Sequence, residues 1–319
     1  MKFLTKEEFI NGQKALSRLF KTAREHSHLS HAYLLYGESS SPLKECANYL
    51  AMSLNCEKGE LACGECESCE RFKKGIHPDF MMIDGSNGAI KKESINELSN
   101  FFSLTSSEKD HVSCYVIHLI ENSTAEAINA LLKFLEEPRG NIFAILTTTN
   151  RSMVLPTILS RCESIRVASP NLDELCESYD GDISLDAYYL LSNFIYDEDE
   201  KMAVYESKEF QDAYKACFEF LEALVFNSRK ASLVLMTEAA DKLKGQRSYN
   251  YFYRILIIIF TDAIKEHHIS CIDKWVMSLK NYKAKLVKAL ELLNEAYYQR
   301  KANMNFTFIL AKLALILED

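Results

Sequence analysis

Four of the chain's ten cysteines, Cys56, Cys63, Cys66 and Cys69, fall within fourteen residues, spaced C-x6-C-x2-C-x2-C. No other feature constrains the local fold as tightly. Four thiolates this close along a chain can close a tetrahedral shell around one Zn²⁺, whose filled d shell accepts that geometry without penalty. Gly59 and Gly64 permit the sharp turns that bring the sulfurs together. Cys66 and Cys69, if they open a helix, lie three apart and share one face. Disulfides are the competing use of such residues, but no secretory signal is present and the other six cysteines are scattered singly. A closed shell of four thiolates leaves no open position for water, so the expected metal holds structure and does no catalysis.

With 319 residues the chain has room for roughly two or three domains. Apolar residues make up 48% and charged residues 26%, which is the balance of a soluble globular protein with a full core. The longest aliphatic run, Ile255 to Phe260, is far too short to span a bilayer. Met1-Lys2-Phe3 leads directly into the polar Thr5-Lys6-Glu7-Glu8, unlike a targeting segment. With ten cysteines, that points to a reducing cytoplasm and no membrane partner. A net charge of −8 argues against gripping DNA by bulk charge, so any action on nucleic acid is expected within a larger assembly.

From Ala32 to Val167, short apolar runs alternate with helical patterns. The runs are Ala32–Tyr36, Phe80–Ile83, Ser113–Ile120, Ile142–Leu146 and Ser164–Val167. Each has the length of a buried parallel strand. Ser123-Thr124-Ala125-Glu126 has capping-box spacing and starts a helix through Leu131, Leu132 and Leu135, which stops at Glu137-Pro138-Arg139-Gly140. Such alternation implies an α/β domain with a parallel sheet covered on both faces. Beyond Ser169-Pro170 the strand signal disappears. Leu172 to about Ser207 is acidic and helical with a break at Gly181, and Lys208 onward is purely helical. The 249–264 segment is apolar nearly all round, which places it at the centre of a bundle or in an oligomer interface. The expected fold class is α/β plus all-α.

The first strand runs into Gly37-Glu38-Ser39-Ser40-Ser41-Pro42-Leu43-Lys44 and then a helix, where a phosphate-binding loop would sit. The pattern G-x-x-x-x-G-K-[ST] puts its second Gly, Lys and hydroxyl at Pro42, Leu43 and Lys44, and all three are wrong. Proline removes a cradling amide, leucine cannot neutralise phosphate, and lysine cannot ligate Mg²⁺. Lys44 sits one residue late. An ATPase also wants its third strand to end in two acids, but His118 and Leu119 occupy those places. Glu121 reads either as a displaced acid or as a solvated loop residue, and His118 as a strand histidine with a local partner. The residues therefore describe a nucleotide-binding scaffold that binds no ATP. Ser160-Arg161-Cys162 precedes the last strand. An arginine there is commonly a solvated or salt-bridged surface residue, but at the rim of such a sheet it can reach out of its own subunit.

His31-Ala32-Tyr33-Leu34-Leu35, the four cysteines, Gly75-Ile76-His77-Pro78-Asp79-Phe80, Asn129-Ala130-Leu131-Leu132-Lys133-Phe134-Leu135-Glu136-Glu137-Pro138 and Ser160-Arg161-Cys162 together carry a family likeness. The chain resembles the AAA+ clamp-loader subunits of bacterial DNA polymerase III, specifically their delta-prime class. The resemblance is strong over about the first 170 residues, and beyond them rests on size and helical character. The tau/gamma class shares the cysteines and the Ser-Arg-Cys motif but keeps an intact phosphate loop and paired acids. The resemblance implies an AAA+-like domain (1–168) carrying the zinc module at about 56–69, a small helical lid (169–207) and a C-terminal helical collar (208–319). It implies a fixed member of a five-subunit ring with delta and tau/gamma subunits, which opens the sliding clamp and loads it on primed DNA. Arg161 would then complete a neighbour's ATP site as an arginine finger. Two other readings stand beside it: an ATP-hydrolysing tau/gamma-type subunit with a divergent loop, and a zinc module contacting nucleic acid through Arg71, Lys73 and Lys74.

Overall fold

The computed structural model describes residues 3–86, 88–105, 112–136, 141–226, 231, 233–268, 271–298 and 306–318. The chain divides into two compact units, Met1–Pro170 and Asn171–Asp319.

The first unit is built on five parallel strands in the order β2-β3-β4-β1-β5. They are β1 (Ala32–Tyr36), β2 (Phe80–Asp84), β3 (Ser113–His118), β4 (Ile142–Thr148) and β5 (Glu163–Arg166). This is the arrangement expected of an AAA+-like P-loop domain. The central strands β1, β3 and β4 are buried on both faces, which suits their apolar residues at consecutive positions. Ala32, Leu34, Tyr115, Ile117, Ala144 and Leu146 pack one face against Ile95 and Leu98 of helix α5 (Lys92–Thr105) and Leu131 and Leu135 of α6 (Ala125–Glu136). The alternate residues Tyr33, Leu35, Val116 and Ile145 are fully buried on the opposite face, where α3 (Leu43–Leu54) contacts β3 and β4. Two helices precede the sheet, α1 (Lys6–Gly12) and α2 (Lys14–Glu25), and α1 opens on a reciprocal Thr5–Glu8 capping box. That signal is present in the sequence although the strand alternation begins only later.

Two local expectations need correction. The N-cap of α6 is Thr124, whose Oγ1 accepts the Ala127 amide at 3.2 Å. Ser123 instead lies one residue outside, its amide donating to Ile120 O at 3.0 Å at the end of a 3-10 turn. β3 also ends at His118 and not at Ile120, because Leu119 takes a left-handed conformation (φ 56°, ψ 63°) that breaks the strand. The expected helix stop at 137–140 lies outside the described residues.

The second unit is entirely helical among its described residues. Its core runs without interruption from Cys176, Tyr189 and Leu190 through Phe210, Leu256 and Phe260 to Leu313 and Leu317. The helix Gln246–Lys265 lies at its centre, burying Phe252, Ile255, Leu256, Ile259 and Phe260. Among the described residues, no helix is long and apolar enough to cross a membrane.

Candidate functional site

In parallel sheets, ligands approach the carboxyl ends of the strands, where loops leave the sheet and helix N-termini converge. Strand register brings Tyr36 level with Thr148 and Arg166, and Asp84 level with His118. Gly37, Glu38 and Ser41 therefore lie beside the ends of β4 and β5.

The loop after β1 is folded onto itself. A methyl group added at Gly37 would lie 2.5 Å from Ser41 Oγ and 2.9 Å from Val167 O. Ser41 Oγ accepts the Glu38 amide at 3.0 Å and donates to Val167 O at 3.2 Å, with Ser169 Oγ at 2.9 Å. The Ser41 amide donates to Glu38 O at 3.0 Å and the Leu43 amide to Ser41 O at 2.7 Å. A phosphate-binding loop aims such amides at its ligand. Here three of them are spent on the chain's own oxygens. Pro42 caps α3 with no side-chain hydrogen bond, and Leu43, at the expected lysine position, is buried in the core.

Lys44 Nζ pairs with Asp84 Oδ2 at 2.7 Å, so the late lysine is tied to the end of β2. Asp84 Oδ1 also accepts the Ser86 amide at 2.9 Å. Burial alone would raise the Asp84 carboxyl, but the Lys44 and Ser86 hydrogen bonds outweigh it and hold the pKa down at about 2. His118 has the local partner expected of it, Thr147 Oγ1 at 2.8 Å from Nδ1. Burial lowers its pKa to about 4, so the ring is neutral near pH 7 and brings no charge to the place of a metal-binding acid. Glu121 is not a solvated loop residue. Its Oε1 accepts both the amide and the hydroxyl of Thr149 at 2.8 Å, and Oε2 is enclosed without a hydrogen-bond partner.

The four cysteines meet as their spacing suggests. The Sγ atoms of Cys56, Cys63, Cys66 and Cys69 all lie within 4.8 Å of one another, and those of Cys63 and Cys69 are 4.0 Å apart. A tetrahedral four-sulfur zinc site requires separations of about 3.8 Å, so the donor set fits the metal. Cys66 caps α4 (Glu67–Lys73), placing Cys69 in its first turn. Amides of Cys63, Cys66 and Cys69 point at the sulfurs of Cys56, Cys63 and Cys66 at 3.3, 3.3 and 3.5 Å, so the loop folds its own donors around the sulfurs. Gly64 (φ 76°) supplies the left-handed turn.

Two residues outside the cysteine pattern hold this loop to the domain. Arg24 in α2 donates to the carbonyls of Ser53, Glu60 and Cys56, the last two at 3.1 and 3.3 Å. His77 Nδ1 accepts the Asp79 amide at 3.2 Å, which leaves Nε2 to donate to Ser68 Oγ of α4 at 3.2 Å. Its ring also packs on Phe72 at 4.1 Å between centroids. The His-Pro-Asp triplet thus joins the metal-site helix to β2.

Arg161 follows a short helix, α7 (Pro156–Leu159). Its NH1 donates to Thr157 O at 2.8 Å and its NH2 to Glu136 Oε1 at the end of α6. The guanidinium is therefore at the rim of the sheet, about a third exposed, and folded back onto its own chain.

A family model described as "DNA polymerase III, delta subunit" matches residues 12–171, just over half of the chain. The sequence is 27% identical over 322 residues to DNA polymerase III subunit delta' of Bacillus subtilis (strain 168), covering 96% of each. It is 36% identical over 155 residues to DNA polymerase III subunit gamma of Buchnera aphidicola subsp. Schizaphis graminum, a match spanning 48% of this chain and 42% of that one. Among solved structures, a DNA polymerase III gamma subunit-related protein of Thermotoga maritima superposes with a TM-score of 0.51 at 18% identity, over 96% of this chain and 98% of that one. At that identity the likeness speaks for the fold alone.

Proposed function

This chain belongs to the delta-prime type of DNA polymerase III clamp-loader subunit, described by the matching model as "DNA polymerase III, delta subunit", and from that membership we propose that it is the member of the ring that hydrolyses no ATP. The observation that carries this reading is the loop after β1. Ser41 Oγ closes the loop onto Val167 O, the loop's own oxygens take up three of its amides, and Lys44 is paired with Asp84. His118, with Nδ1 on Thr147 Oγ1, and the left-handed Leu119 at the end of β3 support it further, since neither offers the carboxylate that holds Mg²⁺.

In this reading the partners are delta and tau/gamma subunits, and the sliding clamp and primer-template DNA are reached through the complex. Arg161 serves a neighbour's ATP site, where an arginine supplied in trans is worth roughly 10³–10⁵ in rate. Its rim position and the fork geometry of guanidinium support that role. Residues 169–207 and 208–319 act as lid and collar on one shared core, which would make them move together. The four cysteines hold a structural zinc, and the chain works in the cytoplasm.

The ATP-hydrolysing tau/gamma-type reading draws support from the match to a gamma subunit over the first half of the chain. The closed loop weighs against it. A calorimetric titration of the full chain with MgATP separates the two. No binding heat is expected, and micromolar affinity abolished by Lys44→Ala would overturn the proposal. In the reconstituted complex, Arg161→Ala should depress clamp-stimulated hydrolysis at the adjoining site while the ring still assembles, and Arg161→Lys should rescue poorly. Wild-type hydrolysis in the alanine variant would leave Arg161 a surface residue.

A further inference from the structure

We propose that Glu136 is a positioning residue that stores Arg161 in a disengaged rotamer, so that the finger is released only by exchange of a carboxylate for phosphate. The proposal rests on the reading of Arg161 as a finger. Arg161 does not extend freely from the rim. NH1 is anchored on Thr157 O at 2.8 Å, with Ser160 Oγ at 3.4 Å, and NH2 lies on Glu136 Oε1. Two anchors from different elements, the last residue of α6 and the first turn of α7, fix the plane of the guanidinium against its own chain.

The strength of this contact suits a latch. The Arg161 and Glu136 side chains are 32% and 49% exposed. An ion pair so accessible to water biases its own population by no more than about fivefold. A nucleotide's terminal phosphates offer more charge and several acceptor oxygens to the same fork, so they outcompete one carboxylate. A subunit carrying the latch would keep its finger out of incorrectly assembled contacts. It would give it up where phosphate is presented in register.

The test uses the reconstituted clamp loader with Glu136→Gln, Arg161→Ala and the double variant, reading ATP hydrolysis without clamp and with it. Glu136→Gln keeps the size of the side chain but removes the charge, so it should raise clamp-independent hydrolysis by about two- to fivefold. In the Arg161→Ala background the same change should do nothing, because the latch acts only through that guanidinium. Labelling of the isolated chain with phenylglyoxal gives a reading independent of partners, and Arg161 should react faster in Glu136→Gln. If Arg161→Ala lowers hydrolysis but Glu136→Gln leaves both hydrolysis and labelling unchanged, the finger stands and the latch is wrong. If Arg161→Ala leaves hydrolysis at the wild-type rate, the finger reading fails and the latch falls with it.

Discussion

Lys44 Nζ stands 2.7 Å from Asp84 Oδ2, bridging the first turn of α3 to the end of β2. The ion pair neutralises the Lys44 ammonium within the chain.

That pair makes a prediction about pH. The Asp84 carboxyl is held at about 2 in the folded chain, below its ordinary value of 3.8. A depressed carboxyl stabilises the fold above its unfolded pKa, and the contribution is lost as pH falls through the folded value. The window is therefore from about 4 down to about 2. Because both partners are partly exposed, the share due to Lys44 is discounted to about 1 kcal/mol. Lys44→Ala should lower stability by that amount at neutral pH, and the difference should vanish below pH 2. Carboxyl NMR titration of Asp84 in both chains checks it. An unmoved Asp84 titration in the variant would show that the lysine is not its partner in solution.

The cysteine site should bind one zinc per chain. Cys66→Ser should release it, because Cys66 both ligates and caps α4, its Sγ accepting the Cys69 amide at 3.5 Å. Hydrogen exchange should rise across residues 50–80, while the sheet, whose core is built from other residues, stays protected. Metal analysis finding full zinc in the variant, or none in the parent, refutes a four-cysteine ligand set.

Arg24 is expected to matter to the metal although it touches no sulfur. It donates to carbonyls at Ser53, Cys56 and Glu60, so one guanidinium fixes the end of α3 and the loop that carries the first ligand. Removing a charged donor from partly buried carbonyls costs about 2 kcal/mol. Arg24→Ala should accelerate zinc loss to a chelator. Arg24→Lys should recover only part of the effect, since an ammonium cannot span three carbonyls. Equal release rates in all three chains would reduce Arg24 to a bystander.

Much of this was legible in the sequence, for physical reasons that differ from residue to residue. The central strands are short apolar runs whose hydrophobicity matches burial on both faces, and all five strands could be read to within two residues at each end. The cysteines could be read because all four ligands lie in one local segment. The failures concern partners that are distant in the chain. Nothing near Arg161 indicates that Glu136 lies across from it, and nothing near Glu121 indicates Thr149. The spacing at Ser123-Thr124 fits two N-caps, and only the left-handed turn at Leu119 decides for Thr124. That the Gly37 loop departs from a phosphate-binding loop was readable from Pro42 and Leu43, but its closure through Ser41 was not.

Gly37 provides the sharpest test of that closed loop. Its conformation is open to any residue, so a substitution reports on space and not on backbone strain. An added Cβ would lie 2.5 Å from Ser41 Oγ, 2.8 Å from Ser41 Cβ and 2.9 Å from Val167 O. The serine can turn aside, but the Val167 carbonyl accepts from Ser41 and belongs to the backbone just past β5. Gly37→Ala should therefore destabilise the first unit by about 1–3 kcal/mol, the usual cost of overpacking. Adding Ser41→Gly should recover only part of the loss, because the clash with Val167 O remains. Urea unfolding of the single and double variants, with and without MgATP, measures both effects. A ligand that binds only the folded state raises apparent stability, so unchanged midpoints with MgATP are expected in every chain. A midpoint that rises with MgATP in the parent would mean that the loop opens and that Ser41 is a displaceable plug.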